Sequence, residues 1–180
     1  MSLLSYLELE ELVEQGVITD IPLDNINAAS IDINLGDFIL EEWRGQTVWL
    51  GEKDHPHQLD MREVDISRTP YILKPGQFIL AQSRQTFNLP AYISAEYKLN
   101  SSMARIGLEH LNAGWCDAGW NRSVLTLELK NMTNFAQIVL KAGVKIGQMV
   151  FFRHAQVPQD RTYAVRGRYN GDTKVTGAKK

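Results

Sequence analysis

The stretch from Asn100 to Leu129 concentrates side chains that could bind an anion or activate water. It opens with Asn100-Ser-Ser-Met-Ala-Arg105, where two adjacent hydroxyls and an arginine stand at the start of a predicted short helical turn. Backbone N–H groups at such a turn point at a bound anion, and arginine binds phosphate through paired hydrogen bonds. The segment therefore suits a phosphate or a sugar, and the same hydroxyls could also cap the helix.

An aspartate and a glutamate follow this turn in two different settings. Asp117 lies in the loop Gly114-Trp-Cys-Asp-Ala-Gly-Trp120, whose glycines would let the backbone approach a ligand closely. Glu128 lies in a segment where three leucines alternate with Val124, Thr126 and Glu128, which predicts a strand. A glutamate on the face opposite the leucines is either exposed to solvent or directed into a site.

Blocks of this chain resemble, in order and spacing, the dCTP deaminase branch of the dUTPase-like superfamily. The blocks are Ala29-Ser-Ile-Asp-Ile-Asn-Leu-Gly36, Ser101-Ser-Met-Ala-Arg105, Ala113-Gly-Trp-Cys-Asp-Ala-Gly-Trp120 and Thr126-Leu-Glu128. The match covers residues 28–172. It implies an all-β fold with minor helix, a distorted β-barrel or jelly roll of the dUTPase-like type. An N-terminal helix and a short central helix are expected with it.

The pattern of the rest of the chain predicts the same fold class. Many short strand-like segments are separated by turns, as in all-β barrels. Two similar segments, Ile72–Leu80 and Val139–Gly147, each predict a hairpin with a Lys-x-Gly turn, and another hairpin is predicted around Arg44-Gly45. Residues 5–16 predict a capped amphipathic helix. We expect residues 1–180 to form a single domain, which the resemblance implies is dUTPase-like. Residues 158–180 are either a polar tail or, as the resemblance of Tyr163 and Arg168–Asp172 to the family's lid implies, a C-terminal nucleotide lid.

Composition narrows the classes of partner. The 180 residues are 44% hydrophobic and 22% charged, which is ordinary for one soluble globular domain. A net charge of -2 gives no support for nucleic acid or an anionic membrane as the main partner. No apolar run approaches the roughly 20 residues of a membrane span, and the N-terminus lacks a secretory pattern. We expect a cytoplasmic protein.

The single cysteine, Cys116, has two consequences. It cannot form an intramolecular disulfide, which fits a reducing cytoplasm. It also cannot supply the Cys-x-x-Cys pair of zinc deaminases, so any deamination here must run without zinc. The segment Asp54-His-x-His57-x-x-Asp60 carries possible ligands but no rigid element beneath them, and we interpret it as a solvated loop.

Deamination of cytosine requires water to attack C4 while N3 and the leaving amine gain protons. One carboxylate can take the proton from water and deliver it, provided that burial raises a carboxyl pKa towards neutrality. The resemblance assigns this role to Glu128, with Arg105 and Ser101 as further catalytic residues. An exposed strand glutamate remains the alternative for Glu128.

The resemblance also implies a set of nucleotide-binding residues. Asp117 would bind the deoxyribose 3′-hydroxyl, Trp120 would pack on the sugar or simply in the core, and Tyr163 would belong to the lid. The full set is Asn100, Ser101, Ser102, Met103, Ala104, Arg105, Ala113, Asp117, Trp120, Thr126, Leu127, Gln148, Tyr163, Arg168 and Asp172. No metal ligand comes from the protein, and Mg²⁺ is expected to bind with the triphosphate. The superfamily forms homotrimers with sites between subunits.

One feature separates two groups within the family. Members with His-Arg after the alanine only deaminate, whereas the group with Gly-Trp or Gly-Phe includes enzymes that also release pyrophosphate and form dUMP. This chain has Gly114-Trp115 and Gln148, which favour the second group. Asp117 would then orient water at the α-phosphate.

Three departures from the family pattern leave the substrate open. Leu99-Asn100 replaces Gly-Arg, Asp172 replaces a lid glutamine, and Ala118 replaces a proline. A lost arginine and an added negative charge weaken the case for a triphosphate, so dCMP or a modified cytosine nucleotide is an alternative to dCTP. A dUTPase without deaminase activity and a non-catalytic nucleotide-binding protein are the alternative functions.

Overall fold

The computed structural model describes residues 1–51, 54, 56 and 58–179 and builds most of them into antiparallel β-structure. The strands are β1 (Ser2–Leu3), β2 (Ile31–Arg44), β3 (Asp60–Asp65), β4 (Tyr71–Leu73), β5 (Phe78–Asn88), β6 (Ile93–Leu99), β7 (Leu108–His110), β8 (Trp115–Cys116), β9 (Asn121–Asn131), β10 (Ile138–Leu140) and β11 (Lys145–Arg153). The helices are α1 (Tyr6–Glu14), α2 (Ser101–Arg105) and α3 (Tyr163–Arg166), with 3₁₀ turns at Leu23–Asn25 and Gln159–Arg161. The predicted all-β class, the N-terminal helix and the short central helix are confirmed.

A curled nine-stranded sheet is organised around β2. Its strand order is β7-β9-β5-β2-β11-β6-β8, with β1 on β11 and β3 on β2. The first residues of β2 pair with β11 and its last residues with β3, while β5 pairs with the middle of β2. One fourteen-residue strand thus joins both halves of the sheet.

The hairpins predicted at the two Lys-x-Gly turns are wrong. Each turn is present, with φ of +74° at Gly76 and +84° at Gly143. However, β4 pairs with β10, as in Ile72 opposite Val139, and these two strands form a separate sheet. The chain therefore passes from one sheet to the other at each turn. The hairpin predicted at Arg44-Gly45 is also wrong, because β2 continues to Arg44 and pairs with β3.

The core contains buried side chains of both the curled sheet and α1. The capping box predicted at the start of α1 is confirmed, since Ser5 N donates to Glu8 Oε2 at 3.0 Å. Leu9 and Leu12 of α1 are buried in the same core cluster as Leu127 and Leu129 of β9. In the part of the chain that the structure describes, no helix is long and apolar enough to cross a membrane.

Residues 169–179, the C-terminal segment, pack along β9 and β5. Val124 N donates to the Asp172 carbonyl at 2.8 Å, and Trp120 Nε1 donates to the Tyr169 carbonyl at 2.9 Å. Val175 is 4% exposed, and its N–H donates to Gln82 Oε1 at 3.0 Å. These contacts fix the segment to the domain.

The Asp172–Lys179 ion pair closes the end of this segment. Lys179 Nζ lies 2.5 Å and 2.7 Å from the two carboxylate oxygens of Asp172. Thr176 Oγ1 donates to the same carboxylate at 3.1 Å. The loop from Asp172 to Lys179 is thereby joined at both ends.

We expect Val175→Ala to loosen the C-terminal segment without unfolding the barrel. Two buried methyl groups are removed, which costs about 1.5 kcal/mol at about 0.8 kcal/mol per buried methylene-sized group. Hydrogen exchange followed by mass spectrometry should show faster exchange in peptides from 169–179 and unchanged exchange in β9. Lys174→Met, which removes the surface contacts of Nζ with Glu63 and with the Phe38 ring but leaves Val175 in place, is the matched control. Equal protection of the segment in both variants would contradict the anchoring role of Val175.

Candidate active site

A cavity of ≈ 420 Å³ opens between β9, the loop after β8 and the C-terminal segment. Seven residues predicted from the sequence to bind nucleotide or to act in catalysis line it. They are Ala113, Asp117, Trp120, Thr126, Glu128, Tyr163 and Asp172. The cavity is therefore the candidate active site.

The walls of the cavity combine apolar surface with carboxylates. Phe78 and Leu80 of β5 and Met61 of β3 supply apolar surface that suits a flat base. Its acidic lining residues are Asp117, Glu128 and Asp172. Among the described residues that line the cavity, none is lysine or arginine.

Glu128 lies on β9 opposite Leu80 of β5, and its side chain is 26% exposed. Its Oε2 atom is buried, 3.2 Å from Nε2 of His110, and the alignment is too poor for a hydrogen bond. His110 is paired with Leu129 at the end of β7, so the two side chains meet where that strand ends. A carboxylate shielded from bulk water in this way suits general acid–base work.

Asp117 lies at the exposed rim of the cavity. Its Oδ1 accepts a hydrogen bond from Trp115 Nε1 at 2.8 Å, and the Trp115 ring stacks on Phe152 at 6.0 Å between centroids. Oδ2 has no hydrogen-bond partner among the described residues, so it can accept from a sugar hydroxyl or from water. The indole fixes one oxygen and leaves the other for a ligand.

Trp120 belongs to both the core and the cavity wall. It is 6% exposed, and its ring stacks on Phe87 at 5.2 Å between centroids. Its Nε1 hydrogen bond to the Tyr169 carbonyl ties the wall to the C-terminal segment. The two interpretations from the sequence are therefore compatible, because one face of the indole packs inward.

The loop glycines approach other parts of the protein closely, which differs from the expectation that they would approach a ligand. A Cβ at Gly119, where φ is +86°, would lie 2.7 Å from Cβ of Thr162. A Cβ at Gly114 would lie 2.6 Å from the Tyr97 carbonyl oxygen. These glycines let the loop pack against β6 and against the residues before α3.

Tyr163 and Cys116 line the cavity in their neutral forms. Burial raises the pKa of Tyr163, whose hydroxyl accepts from the Tyr169 N–H at 3.3 Å. Burial, with Asp117 and Glu128 nearby, raises the pKa of the Cys116 thiol to about 12. The thiol is therefore protonated near neutrality and is not a nucleophile there.

The residues of α2 do not line the cavity of their own chain. Asn100 is the N-cap, since its Oδ1 accepts from Ser102 N at 2.9 Å, so neither serine caps the helix. Ser101, Ser102 and Arg105 are exposed. Arg105 has no hydrogen-bond or ion-pair partner in the part of the chain described by the structure. Met103 and Ala104 complete this turn, which we call the α2 face.

Gln148 lies away from the cavity, on β11. It is paired with Asp32 of β2 and with Lys98 of β6, and directly paired residues share a face of the sheet. Its Oε1 accepts from Ser30 Oγ at 3.1 Å. Asn100 N bonds the carbonyl of Ile146 at 3.1 Å, so Gln148 and Lys98 adjoin the α2 face.

Two further predicted residues do not present their side chains to the cavity. Leu127 is fully buried in the core, so its side chain is not available to a pyrimidine and only its backbone could contact one. Arg168 is outside the cavity lining, and its Nη1 donates to the Lys179 carbonyl at 3.5 Å. The predicted site residues did not include Tyr169 or residues 176–178, although all of them lie in the predicted lid or tail at 158–180. His110 belongs to no matched motif, and only folding brings it to Glu128.

Of the possible metal ligands at 54–60, His55 and His57 lie outside the described residues. Among the residues that are described, no group of three or more His, Cys, Asp or Glu side chains could hold a metal ion. The three carboxylates of the cavity are therefore not arranged as a metal site.

Comparison with known proteins identifies the family. A family model described as dCTP deaminase-like matches residues 3–154. The dUMP-forming dCTP deaminase of Persephonella marina is 33% identical over 175 residues, which is 96% of this chain and 93% of that protein. The dUMP-forming dCTP deaminase of Nanoarchaeum equitans is 34% identical over 182 residues, 92% of this chain and 90% of that protein.

A solved structure supports the fold. The 2′-deoxycytidine 5′-triphosphate deaminase from Agrobacterium tumefaciens superposes with a TM-score of 0.66 at 22% identity. The superposition covers 88% of this chain and 50% of that chain. The family model and the two relatives show that the chain belongs to the dCTP deaminase-like family.

Proposed function

We propose that the protein deaminates dCTP and releases dUMP, ammonia and pyrophosphate. The observation that carries the proposal is the half-buried Glu128, which faces an apolar cavity large enough for a pyrimidine nucleoside. The two named relatives are dUMP-forming dCTP deaminases, and Gly114-Trp115 favours the same group.

Glu128 is the acid–base residue of the deamination step. Its carboxylate takes a proton from water as the oxygen attacks C4, and then delivers that proton towards the leaving amine. Proton transfer of this kind is typically worth about 10²- to 10⁴-fold in rate. Thr126, on the same face of β9, lies beside Glu128 to hydrogen-bond the edge of the base.

Asp117 serves the second step. Trp115 holds Oδ1, and the free Oδ2 is placed to bind the 3′-hydroxyl or to orient water at the α-phosphate. Attack of that water on the α-phosphorus breaks the bond to the β-phosphate and yields dUMP and pyrophosphate. This free carboxylate oxygen at the cavity rim favours a bifunctional enzyme over one that only deaminates.

The charge of the cavity argues for a site shared between subunits. A nucleoside triphosphate carries about four negative charges at neutral pH, and the described lining of one chain offers no cation and three carboxylates, of which Asp172 is paired with Lys179. The cations Arg105 and Lys98 lie outside it, on and beside the α2 face. We infer a homotrimer in which the α2 face of one copy, with Ser101, Ser102 and Gln148, completes the cavity of the next.

Mg²⁺ enters with the nucleotide in this proposal. The described residues offer no carboxylate cluster, and Mg²⁺ commonly keeps its waters and binds phosphate oxygens. When bound, the ion would offset phosphate charge.

The C-terminal segment acts as the lid, since Thr176, Gly177 and Ala178 line the cavity. The single buried thiol fits a cytoplasmic location.

We expect Glu128→Gln to abolish release of ammonia from dCTP, by about 10²-fold or more, because the amide cannot accept the proton from water. Hydrolysis of added dUTP to dUMP should continue. Ion-exchange chromatography of the products measures both activities. Glu109→Gln, on β7 and outside the cavity lining, is the matched control. Normal deamination by the Glu128 variant would overturn the proposed function.

Asp117→Asn should separate the two reactions. The amide cannot act as an anionic oxygen towards water, so we expect dUTP to accumulate from dCTP while dUMP formation falls by about 10²-fold. The same chromatographic assay, with dCTP and with dUTP as substrates, gives the result. If dUMP still forms from dUTP at the normal rate, Asp117 does not serve the hydrolytic step.

Complementation between variants tests the shared site. Arg105→Ala and Glu128→Gln should each be inactive alone, since each removes one half of every site. After subunit exchange in a one-to-one mixture, about a quarter of the sites would receive both intact halves, and deaminase activity should return. A mixture that stays inactive, although mass spectrometry shows mixed trimers, would place both residues in the site of one chain.

A further inference from the structure

Three buried polar atoms next to the cavity have no hydrogen-bond partner among the described residues. They are Tyr97 Oη, His110 Nε2 and Glu128 Oε2. Nearly all buried polar atoms in folded proteins are hydrogen-bonded, because an unpaired one costs free energy. Three such atoms in neighbouring side chains therefore indicate a function that a packed core would not need.

The His110–Glu128 contact needs only better alignment to become a hydrogen bond. The two atoms are 3.2 Å apart, which is within hydrogen-bonding distance, and the imidazole is 4% exposed. In enzymes without bound substrate, catalytic hydrogen bonds are often long or poorly aligned and tighten when substrate binds. A small rotation of either side chain would bring the two atoms into line.

The side chain of Tyr97 packs against the imidazole of His110. The Tyr97 and His110 rings pack edge to face, with centroids 4.6 Å apart and an interplanar angle of 62°. The phenol itself packs over Gly147, where an added Cβ would lie 2.1 Å from Tyr97 Oη. The absence of a side chain at Gly147 is therefore what admits the ring, and the ring restricts the imidazole.

We propose that His110 is the positioning residue of the catalytic carboxylate. Its Nε2–H donates to Glu128 Oε2 in the substrate complex and leaves Oε1 to accept the proton of the attacking water. The inference rests on the proposed role of Glu128 in deamination. His110 transfers no proton to the substrate and acts only through Glu128.

Among the groups around Glu128, the imidazole of His110 is the principal hydrogen-bond donor available to the carboxylate. Tyr97 from β6 and Cys116 from β8 are neutral near pH 7, because burial raises the pKa of both side chains. Asp117, after β8, faces the cavity as an acceptor.

Two pairs of charged residues complete the environment of the His110–Glu128 pair. Asp172 reaches the cavity from the C-terminal segment and is paired with Lys179. Glu109 and Lys130 are cross-strand neighbours on β7 and β9, on either side of the His110–Leu129 pair in sequence.

Replacement of His110 by two residues tests the proposal. His110→Gln keeps an N–H donor near the position of Nε2, whereas His110→Phe keeps the ring and removes the donor. We expect His110→Phe to lower kcat for deamination about 10- to 100-fold with little change in KM, since the carboxylate is misplaced. The acidic limb of its pH–rate profile should move to higher pH, because a lost donor favours the protonated acid. His110→Gln should recover most of kcat.

His154→Phe is the matched control. This histidine bonds Ser94 Oγ at 3.0 Å and lies outside the cavity lining, so kcat and the pH profile should stay unchanged. A folded His110→Phe enzyme with normal kcat and pH profile would overturn the proposal. Equal loss in the Gln and Phe variants with an unmoved pH profile would do the same, because it would show a purely structural role.

A second measurement does not depend on activity. In ¹⁵N-histidine NMR spectra of the whole protein, the Nε2 signal of His110, assigned by its loss in His110→Gln, should shift in Glu128→Gln. An unshifted signal would overturn the contact even if the enzyme deaminates dCTP. If the wild-type protein leaves dCTP unchanged while the signal shifts, the proposed function fails and the contact stands.

Discussion

The two-residue alternation of β9 is the constraint on which the site depends. Leu127 and Leu129 are fully buried in the core, while Thr126 and Glu128, which alternate with them along the strand, line the cavity. A slip of one residue would turn the glutamate inward and a leucine outward, which the core opposes strongly. The register is held by β5 on one side, by β7 on the other, and at its end by Asn131. The buried amide of Asn131 donates to the carbonyls of Leu73 and Ala136 at 2.9 Å each.

The same packing that holds β9 also shapes the surroundings of the carboxylate. β6 lies between two glycines: Gly114 faces the Tyr97 backbone and Gly147 faces its ring. With any larger side chain at either position, Tyr97 would move and its contact with His110 would change. Backbone spacing between strands is thus linked, through one aromatic ring, to the orientation of a polar side chain in the cavity.

Much of the cavity could be predicted from the sequence, because its residues fall in strongly patterned segments. The alternation in β9 predicted the strand and the face of Glu128, and the capping box predicted α1. The hairpins at Gly76 and Gly143 could not be predicted correctly, since a Lys-x-Gly turn looks the same whether its strands pair or enter different sheets. The N-cap role of Asn100 was missed because three polar residues at the start of α2 are equally good caps.

Side-chain contacts that depend on long-range strand pairing could not be predicted from the sequence. His110 meets Glu128 only because β7 pairs with β9, and no local pattern encodes that neighbour. The separation of the α2 face from the cavity is a similar case. Ser101 and Arg105 are close to Asp117 in sequence, yet the fold places them outside the cavity of their own chain.

The two departures that opposed a triphosphate lose much of their force in the folded chain. The negative charge of Asp172 is paired with Lys179 at 2.5 Å, so the cavity meets this position as a neutral pair. The side chain of Asn100 caps α2, so this residue has a structural role that does not depend on phosphate. Lys98, two residues before the N-cap of α2, forms an ion pair with Glu96. A phosphate group could take the place of the Glu96 carboxylate in this pair. Because a triphosphate carries more negative charge than one carboxylate, a triphosphate at the α2 face would compete with Glu96 for Lys98, while Arg105 has no ion pair to give up among the described residues.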